Sequence, residues 1–410
     1  MRRKPNPTPK LYSLAERLKD LGPLYITGGY VRNSLMGIKT DDIDIAAAIP
    51  PERIIERLIG SDYKVTPVNL RLGTLKIECT DEYYEYTAFR SDSYPLSSGV
   101  HKPSEVEFVS DIATDFRRRD FTVNALYYDI LNEEIIDIGG GIADMDNRIL
   151  RAVDDPMRVF SEDGLRIMRM ARFAAELDYS VDEATLAGAR NNSKLLQDIA
   201  PERIVIEWNK LLDSDLKYGL NGGAPVRGME ILKSVGALDI LFSDIIFNYF
   251  GNLLKTVGKL RLASLIVNFD NSAETLGKRL RALKFKNEVI KYILALKAMF
   301  TVKIKLERTA AEFIADYPDE AADLARLLEI SDRMNESDIL YGLLAKAAKE
   351  ELPDRVSALK IRGADLIELG VPEAARAGLL RELIIVSLLK GLNERNGQLT
   401  ALREDTGWKG

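Results

Sequence analysis

Only one histidine and one cysteine, His101 and Cys79, occur among 410 residues. A lone cysteine excludes an intramolecular disulfide and fits a reducing compartment, so a cytoplasmic location is expected. The single histidine excludes a zinc site built on several imidazoles, a histidine–aspartate metal phosphohydrolase, and any Ser-His-Asp triad away from His101. A bound metal is therefore expected on carboxylate oxygens, which favours Mg2+ or Mn2+. No apolar run reaches the roughly 18 residues of a membrane-spanning helix, and no membrane partner is expected. The basic start "MRRKPNPTPK" has no apolar core behind it and reads as a disordered arm before the amphipathic "LYSLAERLKDLG". Fixed-period repeats and low-complexity tracts are also missing.

Net positive charge is lacking too: the formal charge is −6, which by itself disfavours a nucleic-acid partner. Its distribution says more than its sum. From Lys255 to Lys305 there are 12 Lys/Arg against 3 Asp/Glu, after which "AADLARLLEISDRMNESD" turns acidic. The stretch reads equally as the solvated face of two helices or as a surface for phosphates. What is present is ordinary globular composition, 46% hydrophobic and 29% charged, enough for two to four domains.

Up to about residue 150 the pattern is short and β-rich. "PLYIT", "DIDIAAAI", "LRLGTLKIECT", "YYEYTAF", "EVEFV" and "EEIIDI" carry strand-like alternation or β-branched and aromatic residues. Helices are predicted over "GYVRNSLMG", "PERIIERLIG" and "DFTVNALYYDI". From about Pro156 the period becomes 3.6, and every later segment reads as helix. The fold class is therefore α+β at the N-terminus, followed by an all-helical remainder.

Four clusters carry chemistry. In "YITGGYVRNSLMG", Gly28 and Gly29 fall at a strand-to-helix turn, where backbone N–H groups can approach an anion and Arg32 can reach it from the first helical turn. In "TDDIDIA", Asp42 and Asp44 share one strand face, about 7 Å apart, and repel unless a cation lies between them. Glu85 in "YYEYTAFR" offers a third carboxylate from a neighbouring strand, the requirement for a two-metal site. In "RRRDFTVNALYYD", Arg118 and Arg119 stand at an expected helix start one turn before Asn124, a set able to clamp phosphates and read a ribose hydroxyl. In "SEDGLRIMRMARFAAEL", Glu162, Asp163 and Arg166 read either as surface ion pairs worth about 0.2–0.5 kcal/mol each or as a base-reading edge. An Asp acceptor beside an Arg donor matches cytosine and adenine and opposes uracil and guanine. Arg169 and Arg172 follow at steps of three. Drift around the helix takes Arg172 away from the Asp163 face, toward structure or phosphates.

In this order, "GGYVRNSLMG", "DDIDIA", "YEYTAFR", "RRDFTVNALYYD", "DPMRVFSEDGLRIMRMARFAAEL" and "APERIVIEW" resemble the bacterial-type (class II) tRNA nucleotidyltransferase and poly(A) polymerase family. The resemblance is dense over about the first 215 residues. It implies a polymerase-β-like nucleotidyltransferase head with a mixed sheet over 1–150, a helical neck over 151–215, a basic tRNA-contacting body over 216–305 and a helical tail over 306–410. It also implies that Asp42 and Asp44 bind two Mg2+ ions with Glu85 in the third-carboxylate position. Gly28, Gly29, Arg32 and Arg119 match positions that hold the nucleotide, chiefly its phosphates, and Arg169 and Arg172 match further nucleotide-site arginines. Glu162, Asp163 and Arg166 match the element that selects CTP and ATP. The implied partner is tRNA, through its acceptor end and upper arm, and no protein partner is implied.

Three positions depart from the family pattern: Asn33 replaces the usual Asp, Leu72 the usual His of "HGT", and the loop 91–103 lacks an arginine pair. That loop bears on the change from C to A addition. The segment Leu359 to Asn396 resembles the tail of CCA-adding members, which favours CCA addition over poly(A), CC-only or A-only synthesis. Two other classes stay open: a nucleotidyltransferase acting on a small molecule or protein, and a non-catalytic RNA-binding protein.

Overall fold

The computed structural model describes residues 4–93, 105–219 and 222–406. His101, most of the loop 91–103 and the last four residues of "QLTALREDTGWKG" lie outside them. The chain divides into two compact units, Met1–Ser243 and Asp244–Gly410.

The first unit opens with α1 (Pro9–Leu18), where Thr8 accepts the Leu11 N–H, Pro9 pre-sets the first turn, and Leu11, Leu14, Ala15 and Leu18 form one buried stripe. Residues 4–8 are not a free arm: Pro5 is buried and Lys4 Nζ donates to the Glu133 carbonyl at 3.0 Å. Then come β1 (Tyr25–Thr27), α2 (Gly29–Leu35), β2 (Asp44–Ala47), α3 (Pro51–Leu58), β3 (Lys64–Asn69), β4 (Thr74–Cys79) and β5 (Glu82–Ala88). After these are β6 (Arg90–Ser93), β7 (Glu105–Phe108), α4 (Ile112–Arg117), β8 (Tyr127–Asp129), β9 (Glu134–Ile136) and α5 (Gly141–Asn147).

Seven strands form one mixed sheet in the order β3-β4-β5-β2-β1-β8-β9, in which only β2 and β5 run parallel. The pairing of β2 with β5 sets Asp44 directly opposite Glu85. Strand β3 escapes a pattern reading because it is an exposed edge containing Pro67, so alternation is lost. The helix predicted over "DFTVNALYYDI" is instead a single 3-10 turn, Thr122–Asn124, followed by strand β8. Its residues are buried on both faces in the sheet interior, which removes the amphipathic signal separating strand from helix.

The remainder of the first unit is helical: α6 (Pro156–Glu162), α7 (Leu165–Leu177), α8 (Glu183–Asn192), α9 (Pro201–Leu212), α10 (Ser214–Tyr218), α11 (Ala224–Ser234) and α12 (Ala237–Leu241). One exception is a two-residue parallel pairing of β10 (Ile149–Leu150) with β11 (Ser180–Val181). Helix α7 is the centre of this part, with twelve of its thirteen residues buried and α9, α10 and α11 packed against it.

The second unit contains α13 (Lys259–Ile266), α14 (Ala273–Ala282), α15 (Asn287–Thr301), α16 (Glu307–Asp316), α17 (Ala321–Ile330), α18 (Met334–Lys349), α19 (Gly363–Glu368), α20 (Glu373–Lys390) and α21 (Arg395–Glu404). Its helices pack as pairs, α14 with α15, α17 with α18, and α16 with α20. Among the described residues, no helix is long and apolar enough to cross a membrane.

Candidate active site

A cavity of about 520 Å3 opens in the first unit. Of the sequence-predicted residues, Gly28, Gly29, Arg32, Asp42, Asp44, Arg119, Asn124, Asp163, Arg166, Arg169 and Arg172 all line it. Glu85 and Glu162 do not.

Strand β1 ends at Thr27, and the chain turns at Gly28 with φ 71° and ψ −139°, a conformation open essentially to glycine alone. A Cβ at Gly28 would stand 3.4 Å from Asp44 Oδ2, so the turn lies against the carboxylate. Asp44 opens β2, whereas Asp42 precedes the strand. The expectation that strand alternation aims both is corrected: Asp44 is held by the sheet, and Asp42 lies in the irregular segment before it. Glu85 is exposed on β5 beside Asp44. Burial, with the charges of Asp42 and Glu85, pushes the Asp44 carboxyl up to about 6, against the pull of Arg119 and Arg169.

Among the described residues, no three carboxylate, thiolate or imidazole groups stand close enough to hold a metal ion as they lie. The donor chemistry nevertheless suits a hard cation. Glu85 stands opposite Asp44 on the sheet and Asp42 two residues before it, and the charges of both add to burial in raising the Asp44 carboxyl. A divalent ion would offset those charges.

Arg118 and Arg119 follow α4 rather than start a helix, a second correction. Arg119 donates from Nη2 to Asp115 Oδ2 at 3.0 Å and from Nε to the Tyr127 hydroxyl at 2.7 Å. Burial opposes ionisation of Asp115, yet Arg119 and Arg118 hold its carboxyl below the usual range. Arg169 donates to Asp120 Oδ2 at 2.8 and 2.6 Å. The guanidinium of Arg172 is 3% exposed and committed to Glu207 at 2.6 Å and Glu176 at 3.0 Å, the structural half of its expected role.

The stretch "SEDGLRIMRMARFAAEL" is not one helix. Asp163 is extended (φ −145°, ψ 101°) and separates α6 from α7. The expected Asp163–Arg166 side-chain pair does not form. Asp163 accepts from Arg203 Nη2 at 2.8 Å and from the Leu165 N–H at 3.1 Å. Arg166 donates to Glu162 at 3.1 Å, to the Val159 carbonyl at 2.8 Å and to the Arg118 carbonyl. Glu162 also accepts from Arg158 and so aims Arg166 from behind. Arg203 and Tyr218 are cavity residues without an assigned role in the sequence reading. Arg203 stands inside the quoted "APERIVIEW" and was visible as a motif. Tyr218 left no signal.

The description "Poly A polymerase head domain" matches residues 24–151, and "Probable RNA and SrmB- binding site of polymerase A" matches residues 178–247. The CCA-adding enzyme of Ligilactobacillus salivarius is 32% identical over 383 residues, spanning 89% of this chain and 87% of that protein. In fold, the chain is similar to the Bacillus stearothermophilus CCA-adding enzyme in complex with CTP, with a TM-score of 0.67, 23% identity and 96% coverage of each chain. It is similar too to the Thermotoga maritima CCA-adding enzyme complexed with tRNA, with a TM-score of 0.68, 18% identity, and coverage of 97% of this chain and 95% of that one.

Proposed function

This chain belongs to the CCA-adding enzyme family, and from that premise we propose that it adds C, C and A to the 3′ end of tRNA from CTP and ATP, releasing pyrophosphate. The observation that carries this reading is that one cavity is lined both by Asp42 and Asp44 and by Asp163 and Arg166. A carboxylate pair for metal-assisted phosphoryl transfer and a side-chain pair for base choice thus belong to one substrate site.

Asp42 and Asp44, with Glu85 beside them, would hold Mg2+. When bound, that metal would supply a lowered pKa at the terminal ribose hydroxyl and charge stabilisation for the departing pyrophosphate. Gly28, Gly29, Arg32 and Arg119 hold the triphosphate, and Asn124 meets the ribose. Asp163 accepts a hydrogen bond from the exocyclic amine of cytosine or adenine, while Arg166 donates to the adjacent ring nitrogen. Uracil and guanine bring a carbonyl to Asp163 and a ring N–H to Arg166, so two polar contacts turn repulsive. Glu162, Arg169 and Arg172 serve the site by fixing its shape and charge. Arg203 donates to Asp163 and fixes the direction of its carboxylate.

A gel assay with tRNA transcripts ending before CCA, after C, and after CC tests this directly, with Mg2+ and CTP, ATP or both. Three additions with both nucleotides, then a stop, are expected. Two C additions without A, A addition to the CC end alone, or a long A ladder would each reassign the product. No extension would sink the enzyme reading.

A further inference from the structure

Arg118 and Arg119 both line the cavity, but the side chains that hold them do not. Among the described residues, Asp115 supplies the only carboxylate within 4.0 Å of either guanidinium. Asp115, on α4, is fully buried, and its Oδ1 accepts from Arg118 Nε at 2.7 Å and from the Arg90 N–H at 3.3 Å. Its Oδ2 accepts from Arg119 Nη2 at 3.0 Å, from Arg119 Nε at 3.3 Å and from the Tyr127 hydroxyl at 2.6 Å. That hydroxyl in turn accepts from Arg119 Nε at 2.7 Å, and the guanidinium carbon lies 4.6 Å from the Tyr127 ring centroid. Arg119 is thus gripped along its Nε and Nη2 edge, and its Nη1 has no partner among the described residues.

Tyr127 belongs to β8, and its buried ring stands edge-on to Tyr25 and Phe89. A ring packed in this way presents its hydroxyl from one direction only. Burial raises the phenol above its ordinary range, so the hydroxyl stays protonated, giving its hydrogen to Asp115 and a lone pair to Arg119. One carboxylate cannot neutralise two guanidiniums, so the pair keeps positive charge for an anion in the cavity. Direction matters as much as charge, because the N–H donors of a guanidinium form a rigid fork. We propose that Asp115 and Tyr127 are positioning residues that clamp one edge of Arg119 and leave its other edge aimed at the nucleotide phosphates. Neither touches the substrate itself. This deepens the proposed function and rests on it for the identity of the anion.

Tyr127→Phe is the sensitive substitution, since it removes one oxygen, keeps the ring and leaves Arg119 Nε its contact with Asp115 at 3.3 Å. Asp115→Asn is less suited, because it strips two largely buried guanidiniums of their counter-charge and endangers the fold. Binding of inorganic tripolyphosphate to the full chain is measured by calorimetry, alongside KM and kcat for CTP and ATP. Tyr127→Phe is expected to weaken tripolyphosphate about fivefold, the scale of one hydrogen bond. KM should rise for both nucleotides alike, with base selectivity unchanged. Tyr86→Phe controls for general loosening of the sheet: Tyr86 is equally buried, but its hydroxyl donates to the Ala47 and Ile49 carbonyls instead. That variant should bind tripolyphosphate as the wild type does. A double-mutant cycle then separates positioning from packing: in an Arg119→Ala background, adding Tyr127→Phe should cost nothing further. The same loss persisting in that background, an equal loss in Tyr86→Phe, or wild-type affinity in Tyr127→Phe would each overturn the positioning role. No tripolyphosphate binding by the wild type would overturn it as well. CCA addition by a wild type whose Tyr127→Phe variant binds normally sinks only the positioning role. Tripolyphosphate binding that Tyr127→Phe weakens, in a chain that extends no tRNA, sinks only the functional reading.

Discussion

Gly28 and Asp163 show how single residues commit this site. At φ 71° and ψ −139° Gly28 has no side-chain substitute, and a methyl there would also sit 3.4 Å from Asp44 Oδ2. Gly28→Ala should lower the stability of the first unit by about 1–3 kcal/mol and cut kcat/KM further, read by thermal melting and steady-state kinetics. Wild-type values for both would show that the turn relaxes. Asp163→Ala removes the acceptor proposed for the exocyclic amine and leaves Arg203 without its carboxylate. Selectivity for CTP and ATP over UTP and GTP should fall by roughly 10- to 100-fold, the worth of a hydrogen bond to a charged group. Triphosphate affinity should change little, and four-nucleotide kcat/KM values decide it. The residue types at these positions were legible in the sequence, because GG, DxD and EDxxR each have a chemical reason for their spacing. Their partners were not. Asp163 takes Arg203 rather than Arg166 because an extended residue between two helices points its side chain toward α9, a placement no local periodicity encodes.

At the scale of elements, sequence reading caught α1, with one wet face, and missed both β8, dry on both faces, and β3, exposed on both. Helix α1 announces itself through its cap and its single apolar stripe. Strand β8 does not, since Tyr127, Tyr128 and Asp129 are all buried and nothing alternates. The break between α6 and α7 rests on Asp163–Gly164, too slight a signal against thirteen residues of helical pattern that follow. In the second unit, Glu336 near the start of α18 ties down the segment between α15 and α16. It accepts from the Ile304 N–H at 2.8 Å and from Arg333 Nε at 2.7 Å. The Arg333 hydrogen bond, with that N–H, lowers the Glu336 carboxyl from 4.5 to about 2 despite partial burial. Its folded-state pKa lies below its unfolded value, so the stabilisation is complete above pH 4.5 and is lost as pH falls toward 2. Glu336→Gln should therefore destabilise the protein at neutral pH and flatten the acid limb in that window. Urea denaturation of both forms across pH 2–7 checks it, and parallel curves would remove Glu336 from the acid response.

At the scale of the whole molecule, a net charge of −6 coexists with 12 basic residues between Lys255 and Lys305. Binding of tRNA through that stretch should be strongly salt-dependent. With about four phosphates neutralised, raising salt from roughly 50 to 200 mM should weaken tRNA on the order of 10²-fold. Filter binding across that range, with CTP binding as the comparison, measures it. A flat profile would return the stretch to a solvated helix face. The sequence alone determined the order of a strand-rich start and a helical remainder, the donor chemistry open to a metal, and the residue types of the proposed base-reading pair. Each of these follows from composition, local period or short spacing. Only the tertiary structure decided that Glu85 stands opposite Asp44, that one cavity gathers residues from Gly28 to Tyr218, and that Asp163 takes Arg203 as its partner. Such facts depend on strand order and on helices packed around α7, and chain neighbours carry no information about contacts made so far along the sequence.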